Sequence, residues 1–254
     1  MATNLKLARL DGGPEIFHTL QGEGVSVGVP AVFVRLSLCN LHCTWCDTDY
    51  TWNWKGTPFT HENDALPGYE KFDKEDQLIE MSVSEVADEV VKFPCRRVVL
   101  TGGEPLLQME GLEHLIDELR ARDGDYFFEI ETNGTRVPSS CILDRVNQFN
   151  VSPKLENSGN KQTLRIQRDA LEFFANCEAA WFKFVVARES DFDEIRALVG
   201  EFNIPRSRVL LMPEGRSVEA IHTHRELVID ACLREGFRFS DRLHLRLFGA
   251  KRGT

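Results

Sequence analysis

Cys39, Cys43 and Cys46 stand in the pattern C-x3-C-x2-C. Thiolates are ligands for iron–sulfur clusters and for zinc. Three on one short loop can each hold one iron of a cubane 4Fe–4S cluster. The fourth iron then has no ligand nearby in the sequence and is open to a bound molecule. A structural zinc wants four protein ligands. His42 inside the loop would complete a Cys3His set, but no second ligand pair follows at finger spacing, so the pattern favours the cluster. Cys95, Cys141, Cys177 and Cys232 are isolated and read as buried structural thiols.

Further polar signals recur along the chain: LQGEG (20–24), TGGEP (101–105), ETNGT (131–135), SPK (152–154) and MPEG (212–215). Each has a plainer reading by itself. The glycines of 20–24 suit a turn, and Ser152-Pro153 is a common turn starter. Glu131 and Asn133 can cap or turn a chain leaving a strand. Arg35 inside an apolar run needs some carboxylate partner. Thr48 reads as a loop hydroxyl, and Trp52 and Trp54 as core, lid or dimer contacts.

The elements around these signals give them a common place. AVFVRLSL (31–38), RVVLT (97–101), 126–131, 148–152, 181–186 and 208–212 read as strands, and RLHLRLF (242–248) as a half-exposed final strand. Helices are expected at 82–91 with a Ser82/Glu85 capping box, from Leu112 to Gly124, and over 139–147, 168–177, 191–201 and 217–234. Residues 51–80 read as a loop-rich insertion. Alternation of strand and helix implies a largely parallel sheet with right-handed crossovers. About seven strands are too few for a closed eight-fold barrel, so the expected fold is α/β, a single-domain partial (open) β/α barrel over 1–254. The unusual residues fall where strands finish, the edge that carries ligands in such folds.

The chain has 254 residues and a formal charge of −10. An acidic chain is a poor general binder of nucleic-acid phosphates, so no direct nucleic-acid binding is expected. The N-terminus lacks an apolar leader, and no apolar run nears the ~18 residues of a membrane span. The expectation is a cytoplasmic protein with reduced thiols and no membrane contact.

CNLHCTWC (39–46), with an aromatic residue before the last cysteine, resembles the signature of the radical S-adenosylmethionine superfamily, and TGGEP resembles its second motif. The resemblance narrows further. IFHTLQGEG (16–24), Arg35, CDT (46–48), ETNGT, SPK and the terminal GAKRGT (249–254) are together similar to 7-carboxy-7-deazaguanine synthases, over nearly the whole chain. That family contracts 6-carboxy-5,6,7,8-tetrahydropterin to 7-carboxy-7-deazaguanine with loss of ammonia, on the way to 7-deazapurines such as queuosine.

The resemblance implies a 4Fe–4S cluster on Cys39, Cys43 and Cys46, S-adenosylmethionine on its open iron, and Mg2+ on Thr48. S-adenosylmethionine would meet Trp45, Cys46, Asp47, Gly102, Gly103, Glu104, Ser152, Pro153, Lys154, Met212, Pro213 and Glu214. Gly102 and Gly103 would let carbonyls approach its ammonium group, with Glu104 as a further acceptor. The pterin would meet Leu20, Gln21, Gly22, Glu23, Arg35, Thr101, Glu131 and the terminal carboxylate of Thr254. Glu23 and Glu131 suit amidine-type N–H groups, Arg35 suits a carboxylate, and Glu131 is the candidate proton carrier. A flavodoxin-type reductant and a homodimer are also implied. Two other readings stay open: an activating enzyme that installs a glycyl radical on a partner protein, and a non-enzymatic zinc module.

Overall fold

The computed structural model describes residues 3–254. Its strands are β1 (Asn4–Leu10), β2 (Gly13–Pro14), β3 (Ile16–Leu20), β4 (Pro30–Leu36), β5 (Leu78–Ser82) and β6 (Arg97–Gly102). They continue with β7 (Phe127–Thr132), β8 (Gln148–Val151), β9 (Ala180–Val186), β10 (Val209–Pro213) and β11 (Arg238–Phe239). The helices are α1 (Lys74–Gln77), α2 (Val83–Val91), α3 (Met109–Arg122), α4 (Ser140–Arg145) and α5 (Gln162–Arg165). They are followed by α6 (Arg168–Asn176), α7 (Asp191–Glu201), α8 (Val218–Glu235) and α9 (Leu243–Phe248).

All eleven strands join one sheet, ordered β11-β10-β9-β8-β7-β6-β4-β1-β2, with β3 also on β4 and β5 on β1. The run from β4 through β6 to β11 is parallel. β1, β2, β3 and β5 add antiparallel pairs at one side. β11 and β2 end the sheet without meeting, which makes the fold an open β/α barrel. No helix among the described residues is long and apolar enough to cross a membrane.

Strand alternation sorts the residues into two layers. Val32, Val34, Leu36, Val98, Leu100, Phe128, Ile130, Phe149, Val151, Phe182, Phe184, Val209 and Leu211 belong to the main apolar core, together with Leu112, Leu115, Ile116 and Leu119 of α3. Helices expected from period and caps are present. Ser82 and Glu85 form the capping box that opens α2, and Ser217 caps α8.

Several expectations need correction. RLHLRLF is not a strand: 243–248 form α9, closed by Gly249 at φ 72°. Its alternation is shared with a helix that buries one side, and Leu245 is the residue it buries. The seventh parallel strand is instead the two-residue β11. Four antiparallel strands were not expected, because β1, β3 and β5 come from short, mixed segments with no long apolar run. Gly124 does not end α3 in a left-handed turn; Asp123, in extended conformation, is the cap. Of the isolated cysteines Cys232 is buried as expected, but Cys95 and Cys177 are only half-buried and Cys141 is exposed. The stretch 51–80 is loop-rich but ends in α1 and the start of β5, and it folds back on the cysteine loop.

Candidate active site

The other layer of the same strands faces the barrel interior. Arg35 of β4, Thr101 of β6, Glu131 of β7, Asn150 of β8, Lys183 of β9 and Met212 of β10 all line one cleft. Parallel register sets Arg35 beside Thr101 and Glu131 beside Asn150. The loops leaving these strands close the end of the cleft and bring the cysteines to it.

Cys39, Cys43 and Cys46 line the cleft with Trp45, Asp47 and Thr48. Burial pushes all three thiols up, Cys43 to about 12. Such thiols lose their protons to a metal rather than to water. Among the described residues no three His, Cys, Asp or Glu side chains converge on a point that would hold a single ion. His42 stacks on Phe59, ring centroids 3.3 Å apart, so a Cys3His zinc site is not built. Three thiols on one cleft wall suit a cluster in which each binds a different iron.

The glycines of the second motif have a packing task in addition to the cofactor contact expected of them. A Cβ on Gly102, at φ 130°, would lie 2.0 Å from the Leu36 carbonyl oxygen, and one on Gly103 2.0 Å from that of Leu38. They allow the end of β6 to press against the start of the cysteine loop. Gly103 N–H donates to the Leu36 carbonyl (3.0 Å) and Glu104 N–H to that of Leu38 (2.8 Å), which fixes that loop. Both glycines still line the cleft. Glu104 does not: it is fully buried, and its carboxylate accepts from Leu106 N–H (3.1 Å), Thr132 Oγ1 (2.8 Å) and Asn133 N–H (2.7 Å). It braces the turns after β6 and β7 and has no share in the cleft wall.

Ser152, Lys154, Met212 and Glu214 line the cleft; Pro153 and Pro213 lie outside its lining and shape the backbone between them. Lys154 Nζ donates to the Ser152 carbonyl (3.0 Å) and Oγ (2.9 Å). Burial raises the pKa of Glu214, with Glu62 adding to it.

At the other end of the cleft Glu131 is held from both sides. Gln21 Nε2 donates to its Oε1 (3.0 Å) and Thr101 Oγ1 to its Oε2 (2.6 Å). Gln21 Nε2 also donates to Glu129 Oε1 (3.0 Å), while its carbonyl accepts from Glu23 N–H (3.2 Å), so the amide is oriented by its neighbours. Arg35 satisfies both of its readings. Its Nε pairs with Glu15 (2.8 Å), and its two Nη groups have no hydrogen-bond partner among the described residues. Leu20, Gly22 and Thr254 complete this wall.

Glu23 lines the cleft but already has two cationic partners, Lys183 and, at 2.7 Å, Arg242 Nε. Burial pushes its carboxyl up, yet Lys183 and Arg242 outweigh that and hold it well below the usual carboxylate range. Arg242 also donates to the Gly215 carbonyl (2.6 Å) and pairs with Asp47. This one guanidinium ties together the turn after β3, the cysteine loop and the loop after β10. The chain around it is fastened the same way: Leu243 N–H donates to the Gly22 carbonyl (2.8 Å) and Gly24 N–H to Ser240 Oγ (2.9 Å). Gly22 is needed there, because a Cβ would lie 2.1 Å from His244 Nδ1.

Sequence reasoning missed Asn150, Lys183, Arg242 and His244 as cleft residues. Lys183 left a trace, a single charge in the apolar run WFKFVV. Arg242 and His244 left none, since their segment reads as a strand.

The Radical SAM superfamily model matches residues 34–152. The chain is 38% identical over 241 residues to the 7-carboxy-7-deazaguanine synthase of Pyrobaculum aerophilum, covering 94% of this chain and 95% of that one. It is 34% identical to the synthase of the same name from Rhodopirellula baltica, covering 94% of this chain and 87% of the relative. The crystal structure of QueE from Escherichia coli superposes with a TM-score of 0.66 at 27% identity, covering 95% of each chain. The superfamily implies a 4Fe–4S cluster and S-adenosylmethionine, and the thiol-lined cleft has the residues for the cluster. With the open barrel, the cysteine triplet and these relatives in agreement, the chain belongs to the 7-carboxy-7-deazaguanine synthases of the radical S-adenosylmethionine superfamily.

Proposed function

We propose that this chain converts 6-carboxy-5,6,7,8-tetrahydropterin to 7-carboxy-7-deazaguanine with release of ammonia, as a carbon–nitrogen lyase in 7-deazapurine synthesis. The observation that carries the reading is the placement of Gln21, Arg35, Thr101 and Glu131 on one wall of the cleft that Cys39, Cys43 and Cys46 also line.

The cysteines hold the cluster, and Ser152, Lys154, Met212 and Glu214 lie where they would hold S-adenosylmethionine. Bound there, the pair supplies one-electron hydrogen abstraction. Glu131 accepts the amidine-type N–H groups of the pterin, oriented by Gln21 and Thr101. A carboxylate so bonded is also placed to take a proton from the substrate and return it while the ring contracts, with the Thr101 hydroxyl donating to Oε2 throughout. The free Nη groups of Arg35 meet the substrate carboxylate, where a planar fork binds two oxygens at once. Glu23 acts through Lys183 and Arg242, keeping the turn after β3 closed on the substrate.

Thr48 is the proposed Mg2+ ligand. Magnesium keeps several waters and takes few protein ligands, which suits one hydroxyl on the cleft wall completed by substrate oxygens. Thr48→Ala is expected to keep its cluster and lose most of the magnesium stimulation of the parent. Equal stimulation of both would remove Thr48 from the metal site. An electron donor of the flavodoxin class and a homodimer belong to the same reading; exposed Ile229 and Leu233 on α8 support the second.

The deciding experiment is anaerobic incubation of the reconstituted protein with carboxytetrahydropterin, S-adenosylmethionine, Mg2+ and a low-potential reductant. Mass detection should find the deazaguanine acid and ammonia. A protein with a full cluster that cleaves S-adenosylmethionine but leaves the pterin unchanged would defeat the assignment and favour the glycyl-radical alternative.

A further inference from the structure

Two of the three cluster cysteines receive a side-chain N–H. Trp52 Nε1 donates to Cys46 Sγ at 3.4 Å, and Asn160 Nδ2 donates to Cys43 Sγ at 3.4 Å. Neither contact is incidental to a mobile side chain. The Trp52 indole is buried and has three rings around it: His42 at 5.0 Å, His61 at 6.1 Å and Phe59 at 6.2 Å between centroids. The Asn160 amide is oriented by its other end, because its Oδ1 accepts the backbone N–H of His42 (2.9 Å). With the oxygen committed there, the NH2 group faces the sulfur. The same NH2 lies 3.2 Å from Ser158 Oγ, which keeps it in place.

These donors come from outside the cysteine motif. Trp52 opens the loop-rich stretch before β5, and Asn160 lies in the turn after β8. The stretch is braced on the cysteine loop. His61, itself buried, places Nε2 2.8 Å from the Cys46 carbonyl oxygen, and its Nδ1 accepts from Asn63 N–H at 3.1 Å. The ring therefore carries its proton on Nε2 and donates it to that carbonyl. Tyr69 Oη and Asn53 Nδ2 bond Asp49 beside it, at 3.0 and 3.4 Å.

An iron–sulfur core with three thiolates becomes more negative by one charge when it takes up an electron. N–H donors to the sulfurs stabilise that added charge and raise the reduction potential. We infer that Trp52 and Asn160 are positioning residues that set the potential at which the cluster is reduced, through N–H bonds to the thiolates of Cys46 and Cys43. The electron comes from an external one-electron donor of low potential; the two residues neither gain nor lose a proton. The loop-rich stretch thus has a defined task, to carry the Trp52 indole to the cluster. The inference rests on the cluster assignment made above.

The test is a redox titration of the anaerobically reconstituted enzyme, followed by the electron-spin signal of the reduced cluster. Iron and sulfide content of the parent checks the cluster assignment separately: a parent without four irons fails that reading, not this one. Trp52→Phe keeps an aromatic side chain and removes the N–H, and Asn160→Leu removes the amide at similar volume. At a fixed solution potential each fully loaded variant should show an about threefold to tenfold lower ratio of reduced to oxidised cluster. Trp54→Phe is the control, since Trp54 Nε1 donates to the Tyr50 carbonyl (2.9 Å) and no sulfur, and it should titrate like the parent. Loaded variants that titrate with the parent overturn the inference. If a substitution prevents cluster assembly, the parent itself decides. With indole-15N tryptophan, the reduced cluster should show a nitrogen hyperfine coupling, and its absence overturns the Trp52 assignment.

Discussion

The central strands carry two faces with opposite character, built from alternating residues of the same short segments. Toward the helices, Val98, Leu100, Phe128, Ile130, Phe149, Phe182 and Phe184 are fully buried and apolar. Toward the barrel interior the same strands place Thr101, Glu129, Glu131, Asn150 and Lys183, and β4 adds Arg35. The first face contributes stability without geometric demand beyond packing. The second buries charge, which is costly unless every group finds a partner. Most of its groups find one through chains such as Thr101–Glu131–Gln21–Glu129–Asn150, while Glu129 Oε2 has only the Arg97 guanidinium at 3.5 Å and no hydrogen bond. A polar interior is tolerated because the apolar face supplies the folding energy.

Four substitutions and one control test this division. The largest effect belongs at the rim, where strand ends meet the cysteine loop. Cys43→Ala should abolish cluster binding and turnover together, read by iron content and product formation, while Cys141→Ala leaves both intact.

Next comes the interior face. Glu131→Gln keeps shape and one acceptor but loses the charge, and kcat/KM should fall by roughly 10²–10³. Its thermal midpoint should move little; a large drop would make Glu131 a structural residue first.

Phe182→Ala tests the helix face of β9, two strands away. Removing a buried ring costs about 3–5 kcal/mol, seen as a lower denaturation midpoint. The fraction that remains folded should turn over at the parental kcat. A kcat loss in well-folded protein would show that the two faces are not separable.

The smallest effect is a pH dependence. Burial raises the pKa of Glu129, and Glu131 beside it adds to the shift. A carboxyl whose folded pKa lies above its unfolded value contributes stability that is full below the unfolded pKa and is lost as pH rises through the folded one. The parent should therefore lose thermal stability relative to Glu129→Gln as pH rises from the ordinary carboxylate range, about 4.5, toward 8. Parallel midpoints for both proteins across that range would mean that Glu129 is ionised and fully compensated.

Legibility in the sequence followed the same division. The apolar face could be read residue by residue, because alternation of two and repeats of three and four are local properties. Six of the seven expected strands and most of the helices lie within a few residues of their expected places. The seventh failed at 242–248, where a seven-residue alternating pattern serves strand and helix equally. The short antiparallel strands β1, β3 and β5 were not legible, since their pairing partners lie far along the chain.

The sequence alone determined the class of fold and the family, and it singled out the three cysteines of one loop as the proposed cluster ligands. A C-x3-C-x2-C loop needs no distant residue to hold three irons, and period fixes which strand residues are buried. Only the tertiary structure decided which polar residues share the cleft. It joined Lys183 and Arg242 to Glu23, turned Glu104 away from the cleft, gave Gly102 and Gly103 a packing task and brought Trp52 and Asn160 to the thiols. These are contacts between residues up to about two hundred positions apart. They depend on strand register and loop closure, which a linear pattern does not encode.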